Sequence, residues 1–460
     1  MKKKVLSVML TAAMMTTLLA GCGGDGSSNA SSSAPESSQA STAQSSTPAS
    51  TESSAQASGS AEPVTLKWAI WDESTTQYWG DIKAAYEASH EGVTIEMVDL
   101  GSTDYMTVLA TELSGSGSDF DVVTIKDVPG YATLVQKNAI LALDDYIKAD
   151  GVDLAQYAGA TDQVLVDGKL YELPFRNDFW VVFYNKDLFD AKGVPYPTND
   201  MTFEQYDELA RQMTDTTFGS QVYGAHYHTW RSAVQLFGVL DGQHTILDGE
   251  YSAFQPYYEM VLKQEDDNVC RKYTDLKTEG LHYSAAFSGG DVAMLNMGSW
   301  FIATMISNLQ SGEYDSSLCG NWGIVKYPHA EGVEAGSTLG TITGLSVTTV
   351  SDTPDAAWEF VKWVSGEEGA AVMASSGNFP AIMTDEVKDM IAGLEGFPTD
   401  PESKEALSVS NLYLEVPYGE NVSEINSILD SYHGSIMTRE MSIEEGINKM
   451  NEEVQKLQGK

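Results

Sequence analysis

The sequence predicts an α/β fold built on a mostly parallel sheet with crossover helices. Strand and helix patterns alternate over residues 64–137, and strands separated by short helices are typical of parallel sheets. The chain has 460 residues, enough for two or more domains, and its hydrophobic content of 42% is typical of globular proteins. No internal repeat with a period of about 20–50 residues is found, which disfavours solenoids and propellers.

The first three strands and helices follow from hydrophobic periodicity. Apolar side chains alternate with other residues from Val64 to Ile70, and this alternation predicts a strand. In total, strands are predicted over residues 64–71, 93–100 and 121–125, and helices over residues 79–90, 105–113 and 129–137. Ligands of open parallel sheets bind beyond the carboxyl ends of the strands, where Asp72, Glu73 and Asp127 fall.

The middle of the chain carries further turn, strand and helix signals. Residues 166–171 predict a hairpin turn, and residues 179–185 predict a strand that leads into a helix. Thr202 and Gln205 have the spacing of a capping box, which predicts that a helix covers residues 203–213. A short strand is predicted over residues 223–227 and a helix over residues 230–240.

The charge of the chain excludes one class of partner. The sequence has 66 acidic and 26 basic side chains, a formal net charge of -40. A surface this acidic repels phosphate backbones and anionic lipid headgroups, so nucleic-acid binding is not expected.

The N-terminus has the pattern of a bacterial export signal. Lys2–Lys4 are basic, and residues 5–20 form an apolar stretch that is shorter than the ~20 residues of a membrane-spanning helix. The stretch ends in Leu19-Ala20-Gly21-Cys22, which resembles the lipobox of bacterial lipoproteins. The resemblance implies that residues 1–21 are a lipoprotein signal peptide and that Cys22 is lipidated, anchoring the chain to the membrane. An ordinary secretory signal is the alternative.

Residues 22–62 are predicted to be a disordered tether. Ser, Ala, Gly, Thr and Gln dominate residues 23–62, and such a segment cannot bury enough apolar surface to fold. Lipobox and tether together indicate a protein held on the outer face of the cytoplasmic membrane, in a Gram-positive-type envelope.

Neither a metal site, nor a cofactor, nor catalysis is predicted. Cys270 and Cys319 could pair outside the cell or remain two buried thiols. His226 and His228 lack a third metal ligand at suitable spacing. The sequence contains none of the common catalytic motifs, so the protein is predicted not to be an enzyme. An extracellular glycoside hydrolase and an adhesion or scaffold lipoprotein are the alternatives.

Three segments then identify a family. LPFRNDFWVVFYNKDLF, AFSGGDVAMLNMGSWFIATM and GLSVTTVSDTPDAAWEFVKWVSGEEGAAVMASSGNFPA, in this order, resemble family 1 extracellular solute-binding proteins. These proteins capture ligands for ATP-driven (ABC) importers, and maltose-binding protein is their best-known relative. The resemblance implies a monomeric protein that captures a neutral carbohydrate, expected to be an oligosaccharide, and delivers it to the transmembrane permease subunits.

The resemblance also implies a two-lobed, type II periplasmic-binding-protein-like fold. Each lobe is then a sheet flanked by helices, and a hinge connects the lobes around a cleft. Chain crossings are predicted at residues 173–180, 334–340 and 377–380. Lobe 1 is predicted to comprise residues 63–177 and 335–377, and lobe 2 residues 178–334 and 378–460.

Two residues carry the strongest ligand-binding predictions. The family pattern G-x-x-A-M-x-x-x-G-x-W ends here at Trp300, and in sugar-binding members this tryptophan stacks on a sugar ring. The alternative is a core tryptophan. Asp178 aligns with a carboxylate that accepts sugar hydroxyls in relatives, and a solvated turn is the alternative.

The other candidates lie around the predicted crossings and strand ends. Acidic candidates could instead face water, and Trp71 could be a core residue. Arg176 and Arg231 could clamp an anion. The alternative ligand is an amino acid, a peptide, a polyamine or an anion. By contrast, helical spacing of apolar residues around Trp358 and Trp363 predicts that both are structural. The further ligand-binding candidates are Asn177, Arg176, Trp71, Asp72, Glu73, Asp127, His226, Tyr227, Trp230, Met297, Gly298, Thr343, Gly344, Phe379 and Tyr418.

Overall fold

Eight strands form the framework of the fold. The computed structural model describes residues 63–460 apart from residues 102, 103, 116, 158, 218 and 220. The predicted signal peptide, the lipidation site at Cys22 and the tether therefore lie outside the described residues. The strands are β1 (Val64–Ile70), β2 (Val93–Asp99), β3 (Val122–Ile125), β4 (Leu173–Asn185), β5 (Met294–Gly298), β6 (Trp322–Lys326), β7 (Ser337–Val347) and β8 (Asn411–Leu414).

Helices surround the strands. The α-helices are α1 (Tyr78–Ser89), α2 (Tyr105–Glu112), α3 (Val128–Gln136), α4 (Asp144–Asp150), α5 (Lys186–Lys192), α6 (Phe203–Met213), α7 (Ser232–Gln235), α8 (Gln255–Asp266), α9 (Tyr273–Glu279), α10 (Tyr283–Ser288), α11 (Trp300–Ser311), α12 (Ser316–Cys319), α13 (Pro354–Val364), α14 (Glu367–Ser375), α15 (Asp385–Ala392), α16 (Pro401–Glu405), α17 (Val422–Met437) and α18 (Ile443–Leu457). Short 3₁₀ segments connect some of them, at Glu73–Thr75, Leu154–Tyr157, Thr161–Val164, Leu236–Val239 and Ser252–Phe254.

The first part of the sheet confirms the predicted parallel arrangement. β1 pairs in parallel with both β2 and β3, and α1 and α2 are the connections between these strands. β7 returns from much later in the chain and pairs antiparallel with β3 and with β4, while β8 joins β7 in parallel.

β4 connects two groups of strands without a loop. Its first half, Leu173 to Phe179, pairs with β7, whereas Trp180 to Asn185 pairs with β5 and β6. The chain thus passes between the groups within the segment 173–180, where the first crossing is predicted.

The other two predicted crossings lie beside β4. Arg176 pairs with Thr343 of β7 and also forms a bridge to Pro380. The Asn177 amide donates to the Phe379 carbonyl at 3.1 Å. Thr343 and Pro380 therefore flank β4 at Arg176. The crossings at residues 334–340 and 377–380 stay predictions.

Alternation along β4 divides the apolar core into two clusters. Phe179, Val181 and Phe183 belong to one cluster, which extends over β1, β3 and β7. Trp180, Val182 and Tyr184 face the opposite side and pack with the helices that follow β4 and with α17 and α18. A strand buried on both faces explains why this segment is almost continuously hydrophobic in sequence.

Most local predictions are confirmed, and two are wrong. The turn at Asp167 and Gly168 has positive φ at both residues, and the capping box at Thr202 is present. Residues 223–227 are not a strand, because they form only isolated bridges, and residues 230–240 are not one helix. They form α7 followed by a 3₁₀ segment, Leu236–Val239.

The two cysteines of the described region are not paired. Cys270 and Cys319 are both free and buried. Among the described residues, no helix is long and apolar enough to cross a membrane, and no three His, Cys, Asp or Glu side chains are grouped as metal ligands.

Candidate functional site

A cavity of about 450 Å³ lies beside the middle of β4. We call it the central cavity. Its walls come from the end of β1, the start of α1, Arg176 of β4, the start of α11 and the segment after α14. The residues that line it are Trp71, Thr76, Gln77, Tyr78, Arg176, Trp300, Ala303, Thr304, Ser307, Asn308, Ser376 and Asn378.

Trp300 forms one aromatic wall of the central cavity. It is the first residue of α11, and its indole Nε1 donates to the Tyr283 hydroxyl at 3.2 Å. A Cβ on Gly298 would lie 2.0 Å from the Trp300 ring, so only glycine fits two residues before this tryptophan. The G-x-W part of the family pattern therefore has a steric reason. Met297 precedes this glycine in β5 and is fully buried.

Trp71 forms a second aromatic wall, on the opposite group of strands. Its ring packs edge-on against Trp79 at 5.2 Å and against Tyr105 at 5.0 Å, measured between ring centroids. The ammonium of Lys126 lies 5.2 Å from the centre of the Trp71 ring. Trp79 also donates its indole N–H to the Trp71 carbonyl at 2.8 Å, which holds the end of β1 in place.

The loop after β1 is shaped by Asp99, which the sequence analysis did not single out. The Asp99 carboxylate accepts from the backbone amides of Asp72 at 3.0 Å, Glu73 at 2.9 Å and Gly101 at 2.8 Å. Asp72 has a left-handed backbone, with φ of 49°. Neither Asp72 nor Glu73 lines the central cavity, and the Glu73 side chain is exposed. The cue for Asp99 was its position at the carboxyl end of β2, at the same sheet edge.

Arg176 and Asp178 form a buried ion pair at the back of the cavity. Nη2 of Arg176 lies 2.7 Å from Oδ2 of Asp178, and the Ser299 hydroxyl donates to Oδ1 of Asp178 at 2.9 Å. Arg176 also donates to the Tyr78 hydroxyl at 3.4 Å. Asp178 is only 4% exposed, and it does not line the cavity. Burial raises the pKa of Asp178, and the Arg176 guanidinium opposes that shift. The predicted ligand carboxylate therefore lies behind Arg176, where it balances the charge of the guanidinium.

A second cavity, of about 480 Å³, lies next to α2 and α3. We call it the side cavity. Asp127 is on its wall and caps α3 by accepting from the Gly130 amide at 2.7 Å. The residues that line it are Asp104, Tyr105, Met106, Thr107, Ala110, Thr111, Lys126, Asp127, Pro129, Gly130, Thr133, Lys137 and Ser423.

An aromatic group next to Trp300 includes one predicted residue and two missed ones. Trp230 is 38% exposed, and its ring centroid is 4.5 Å from that of His228, 5.7 Å from that of Tyr283 and 6.2 Å from that of Trp300. Burial lowers the pKa of His228 to about 4. His228 was missed as a ligand candidate although it directly follows the predicted strand over residues 223–227. Tyr283 was missed because no strand end or family pattern marks it, and its only cue was its aromatic character.

Three predicted site residues lie in the core. His226 is fully buried, and neither ring nitrogen has a hydrogen-bond partner among the described residues. Burial lowers its pKa to about 3. Tyr227 belongs to the second apolar cluster. Phe379 is fully buried and packs edge-on against Phe179 at 5.1 Å.

The remaining candidates lie along β4 and β7 and before α17. Asn177 and Thr343 are buried, and neither lines the central cavity. A Cβ on Gly344 would lie 2.2 Å from Oε2 of Glu172, so this glycine accommodates a buried carboxyl group. The Tyr418 ring is 6.1 Å from Tyr131, and its amide donates to the Gln163 carbonyl at 3.0 Å.

The lining of the central cavity can bind a polar, uncharged ligand. Hydroxyl and amide side chains surround it, and two indole rings face it. Among the described residues that line it, Arg176 is the single charged one. Acid–base cleavage of a glycosidic bond needs two carboxyl groups that flank the bond. In the part of the chain that the structure describes, no carboxyl group lines this cavity.

The chain is similar to known bacterial proteins. A sequence model of the bacterial extracellular solute-binding protein family matches residues 71–371. The crystal structure of a sugar transporter from Rhizobium etli, in an open conformation, is 48% identical. That match covers 85% of this chain and 99% of that chain, with a TM-score of 0.80.

More distant proteins share the fold or part of the sequence. An ABC substrate-binding protein from Listeria monocytogenes in complex with cycloalternan is 20% identical, covers 86% of this chain and 99% of that chain, and has a TM-score of 0.71. The mannitol-binding protein of Pseudomonas aeruginosa is 22% identical over 314 residues, 64% of this chain and 67% of that protein. A protein of Brucella abortus named as a binding protein matches over only 39% of its own length and 36% of this chain, at 26% identity.

Proposed function

Since the chain belongs to the bacterial extracellular solute-binding protein family, we propose that it captures a neutral carbohydrate and delivers it to the membrane permease of an ABC importer. The family consists of substrate-binding proteins of ABC transporters, not of enzymes. Its fold is the two-lobed, type II periplasmic-binding-protein-like α/β fold. An oligosaccharide is the ligand that we expect.

The composition of the central cavity carries the proposal. A sugar presents a face of C–H groups and a rim of hydroxyls, so a complementary site needs aromatic faces and uncharged hydrogen-bonding groups. Trp71 and Trp300 supply the aromatic faces, and Thr304 and Asn308 are among the uncharged polar groups. The charge of Arg176 is balanced by Asp178, which favours a neutral ligand over an anion.

The names of the relatives support the same class of ligand. The Rhizobium etli protein is described as a sugar transporter, the Listeria monocytogenes protein was crystallised with cycloalternan, and the Pseudomonas aeruginosa protein is named for mannitol. All three ligand descriptions concern neutral polyhydroxylated molecules or sugars.

Capture is proposed to occur by closure of two lobes. The lobes are residues 63–177 with 335–377, and residues 178–334 with 378–460. A ligand that contacts Trp71 on one lobe and Trp300 on the other binds the closed form more tightly. This difference in affinity shifts the equilibrium toward closure. The permease is proposed to recognise the closed, monomeric protein.

The N-terminal segment is proposed to hold the protein at the membrane. Cleavage after residue 21 and lipidation of Cys22 would leave the binding region on a tether at the outer face of the cytoplasmic membrane. Mass spectrometry of the membrane fraction would detect the acylated N-terminal peptide, and Cys22→Ala would release the protein into the medium.

Thermal denaturation with candidate solutes tests the carbohydrate proposal. A ligand present at about 100 times its Kd adds about 2.7 kcal/mol to the stability, so a true ligand raises the Tm clearly. The panel contains polyols, malto- and manno-oligosaccharides, amino acids, peptides and polyamines. A shift with an amino acid, peptide or polyamine and with no carbohydrate would contradict the proposal.

A matched pair of tryptophan variants tests the site. Trp300→Ala removes an aromatic wall of the central cavity, and we expect at least a tenfold loss of affinity in calorimetry, equivalent to about 1.4 kcal/mol. Trp363→Ala is the control, because Trp363 packs against Tyr86 and does not line the cavity. Equal affinities of the two variants would refute the site assignment.

A further inference from the structure

We propose that a groove between α14 and α15 docks a basic segment of a partner protein. The segment places an apolar side chain on the floor of the groove and sets lysine or arginine side chains against the carboxylates of its rim. We call this feature the α14–α15 groove. Its volume is about 580 Å³, and its walls come from α14, from α15 and from the segment between them. The inference goes beyond solute capture and does not depend on the identity of the solute.

The floor of the α14–α15 groove is apolar. Ala370 of α14, Ile382 between the helices and Val387 of α15 are at most 6% exposed, and Met390 is half-buried beside them. The volume lies in the range of about 300–1,000 Å³ that is typical of ligand pockets. The groove can therefore bury an apolar side chain of a partner, which the hydrophobic effect favours.

Four exposed carboxylates surround this floor. Glu367 and Glu368 belong to the first turn of α14, and Asp385 and Glu386 belong to the first turn of α15. Acidic side chains in a first turn also stabilise their own helix through its dipole. Here, however, two such turns meet at one groove, so the carboxylates of both helices line the same apolar floor.

These carboxylates are largely without a counterion. Asp385 pairs with Lys388 of its own helix at 2.7 Å. In the part of the chain that the structure describes, Glu367, Glu368 and Glu386 have no ion-pair partner, and no lysine or arginine lines the groove. The central cavity and the side cavity differ in this respect, because each has a basic residue in its wall. A cationic side chain of a partner would thus meet unneutralised negative charge.

Charge also decides which occupant fits the α14–α15 groove. Residues 23–62 contain Asp25, Glu36, Glu52 and Glu62 and no basic residue, so the predicted tether of this chain would be repelled. A second copy of the chain brings a formal net charge of -40, and anionic lipid headgroups are negative as well. The occupant with complementary charge is a basic segment of a different protein.

The α14–α15 groove is separate from the central cavity. The α14 residues that line the groove all precede Val372, whereas Ser376 and Asn378, beyond the end of α14, line the central cavity. At 1.5 Å per residue, Glu367 and Ser376 are about 13 Å apart along the helix axis. A partner can therefore dock in the groove without displacing a solute from the cavity.

The test uses short fluorescent peptides in anisotropy titrations with the protein. The probe alternates lysine and leucine; one comparison peptide replaces every leucine by serine, and another replaces every lysine by glutamate. Ala371→Trp fills the groove from α14, and Ser375→Trp is its matched control, because Ser375 is exposed on the same helix and does not line the groove.

A pair of charge variants covers the case in which Ala371→Trp does not fold. Glu367→Gln/Glu386→Gln removes two carboxylates of the rim and leaves the floor unchanged. Glu313→Gln/Glu331→Gln is the control, because it changes the net charge equally at two exposed residues that do not line the groove.

The expected result is a loss of peptide affinity that is confined to the groove variants. The lysine–leucine peptide should bind the wild type and both controls alike, and it should bind each groove variant at least tenfold more weakly. The lysine–serine and glutamate–leucine peptides should also bind the wild type at least tenfold more weakly. Equal affinity of the wild type and the groove variants would mean that the peptide binds through overall charge, and it would overturn the inference. An equal loss in the controls, or no binding of the lysine–leucine peptide to the wild type, would overturn it as well.

Discussion

Gly298 and Trp300 form a pair in which the small residue makes room for the large one. Because a Cβ at position 298 would be 2.0 Å from the indole, the tryptophan can lie back over the backbone of β5 only if residue 298 is glycine. This is why the sequence pattern predicted the position of Trp300. Tyr283, which accepts from the indole, could not be predicted in the same way, because its contact with Trp300 depends on how α10 packs against α11.

A second residue-scale feature is the buried carboxyl group of Glu172. Its side chain has no exposed surface, and neither carboxyl oxygen has a hydrogen-bond partner among the described residues. Burial, together with the nearby Asp127, raises its pKa to about 8. The group is therefore neutral in the folded protein at neutral pH, whereas it is ionised in the unfolded chain.

Glu172→Gln should change how stability depends on pH. Between about pH 4.5 and pH 8, unfolding of the wild type releases the Glu172 proton. The contribution of Glu172 to the free energy of unfolding therefore falls as the pH rises, by about 1.4 kcal/mol per pH unit. Glutamine keeps the shape and does not titrate, so the variant should gain stability relative to wild type from pH 5 to pH 8. Urea denaturation at several pH values measures this difference in stability. Glu73→Gln is the control, because Glu73 is exposed. Parallel stability curves for wild type and Glu172→Gln would contradict the prediction.

At the scale of elements, β4 was only half predicted. The hydrophobic pattern predicts a strand that starts at Phe179, because Arg176, Asn177 and Asp178 interrupt the hydrophobic run. The structure extends the strand back to Leu173, since alternation puts Arg176 and Asp178 on the same side of the strand, where they neutralise each other at 2.7 Å. A pattern of hydrophobicity cannot distinguish such a buried pair from a solvated turn.

Removing one member of this pair should destabilise β4. Asp178→Asn leaves the Arg176 guanidinium buried without a countercharge, and we expect a loss of about 3 kcal/mol in unfolding free energy. The double variant Arg176→Gln/Asp178→Asn removes both charges and should recover part of the loss. Chemical denaturation measures both. A cost below about 1 kcal/mol for the single variant would show that Arg176 finds water or another partner.

The segment after α6 shows a different reason for a wrong prediction. Residues 223–227 have the apolar alternation of a strand. They form only single bridges, to residues such as Val292 and Leu295, because they meet the chain just before and within β5 rather than along its length. The length of a β-ladder depends on the path of the partner strand. The sequence of one segment does not contain that information.

At the scale of the whole molecule, two groups of strands share β4, and the cavities lie at their junction. The family resemblance predicted the two-lobed fold, and the places where the chain crosses between the lobes stay a prediction. The cavities themselves could not be predicted, because their walls combine residues as distant as Trp71, Arg176 and Trp300, or Thr133 and Ser423. The net negative charge of the chain predicts that it does not bind nucleic acid. The charged residues at the two cavities are nevertheless balanced by neighbours of opposite charge.

Ligand binding should make the molecule more compact. If the lobes close on a ligand held between Trp71 and Trp300, the radius of gyration in small-angle X-ray scattering should fall on addition of a sugar that binds. Trp300→Ala at the same sugar concentration should scatter like the unliganded wild type, because its binding is weakened. An unchanged radius of gyration for saturated wild type would refute closure as the mode of capture.

The position of β7 has a consequence for how the chain is made and exported. β7 pairs with both β3 and β4, and Ile125 of β3 lies opposite Gly344 in the antiparallel register. The ribosome must therefore synthesise three quarters of the chain before the first group of strands is complete. Such long-range pairing slows folding. For a member of an extracellular family, slow folding is an advantage, because a chain that is still unfolded when it reaches the translocation machinery can be threaded across the membrane.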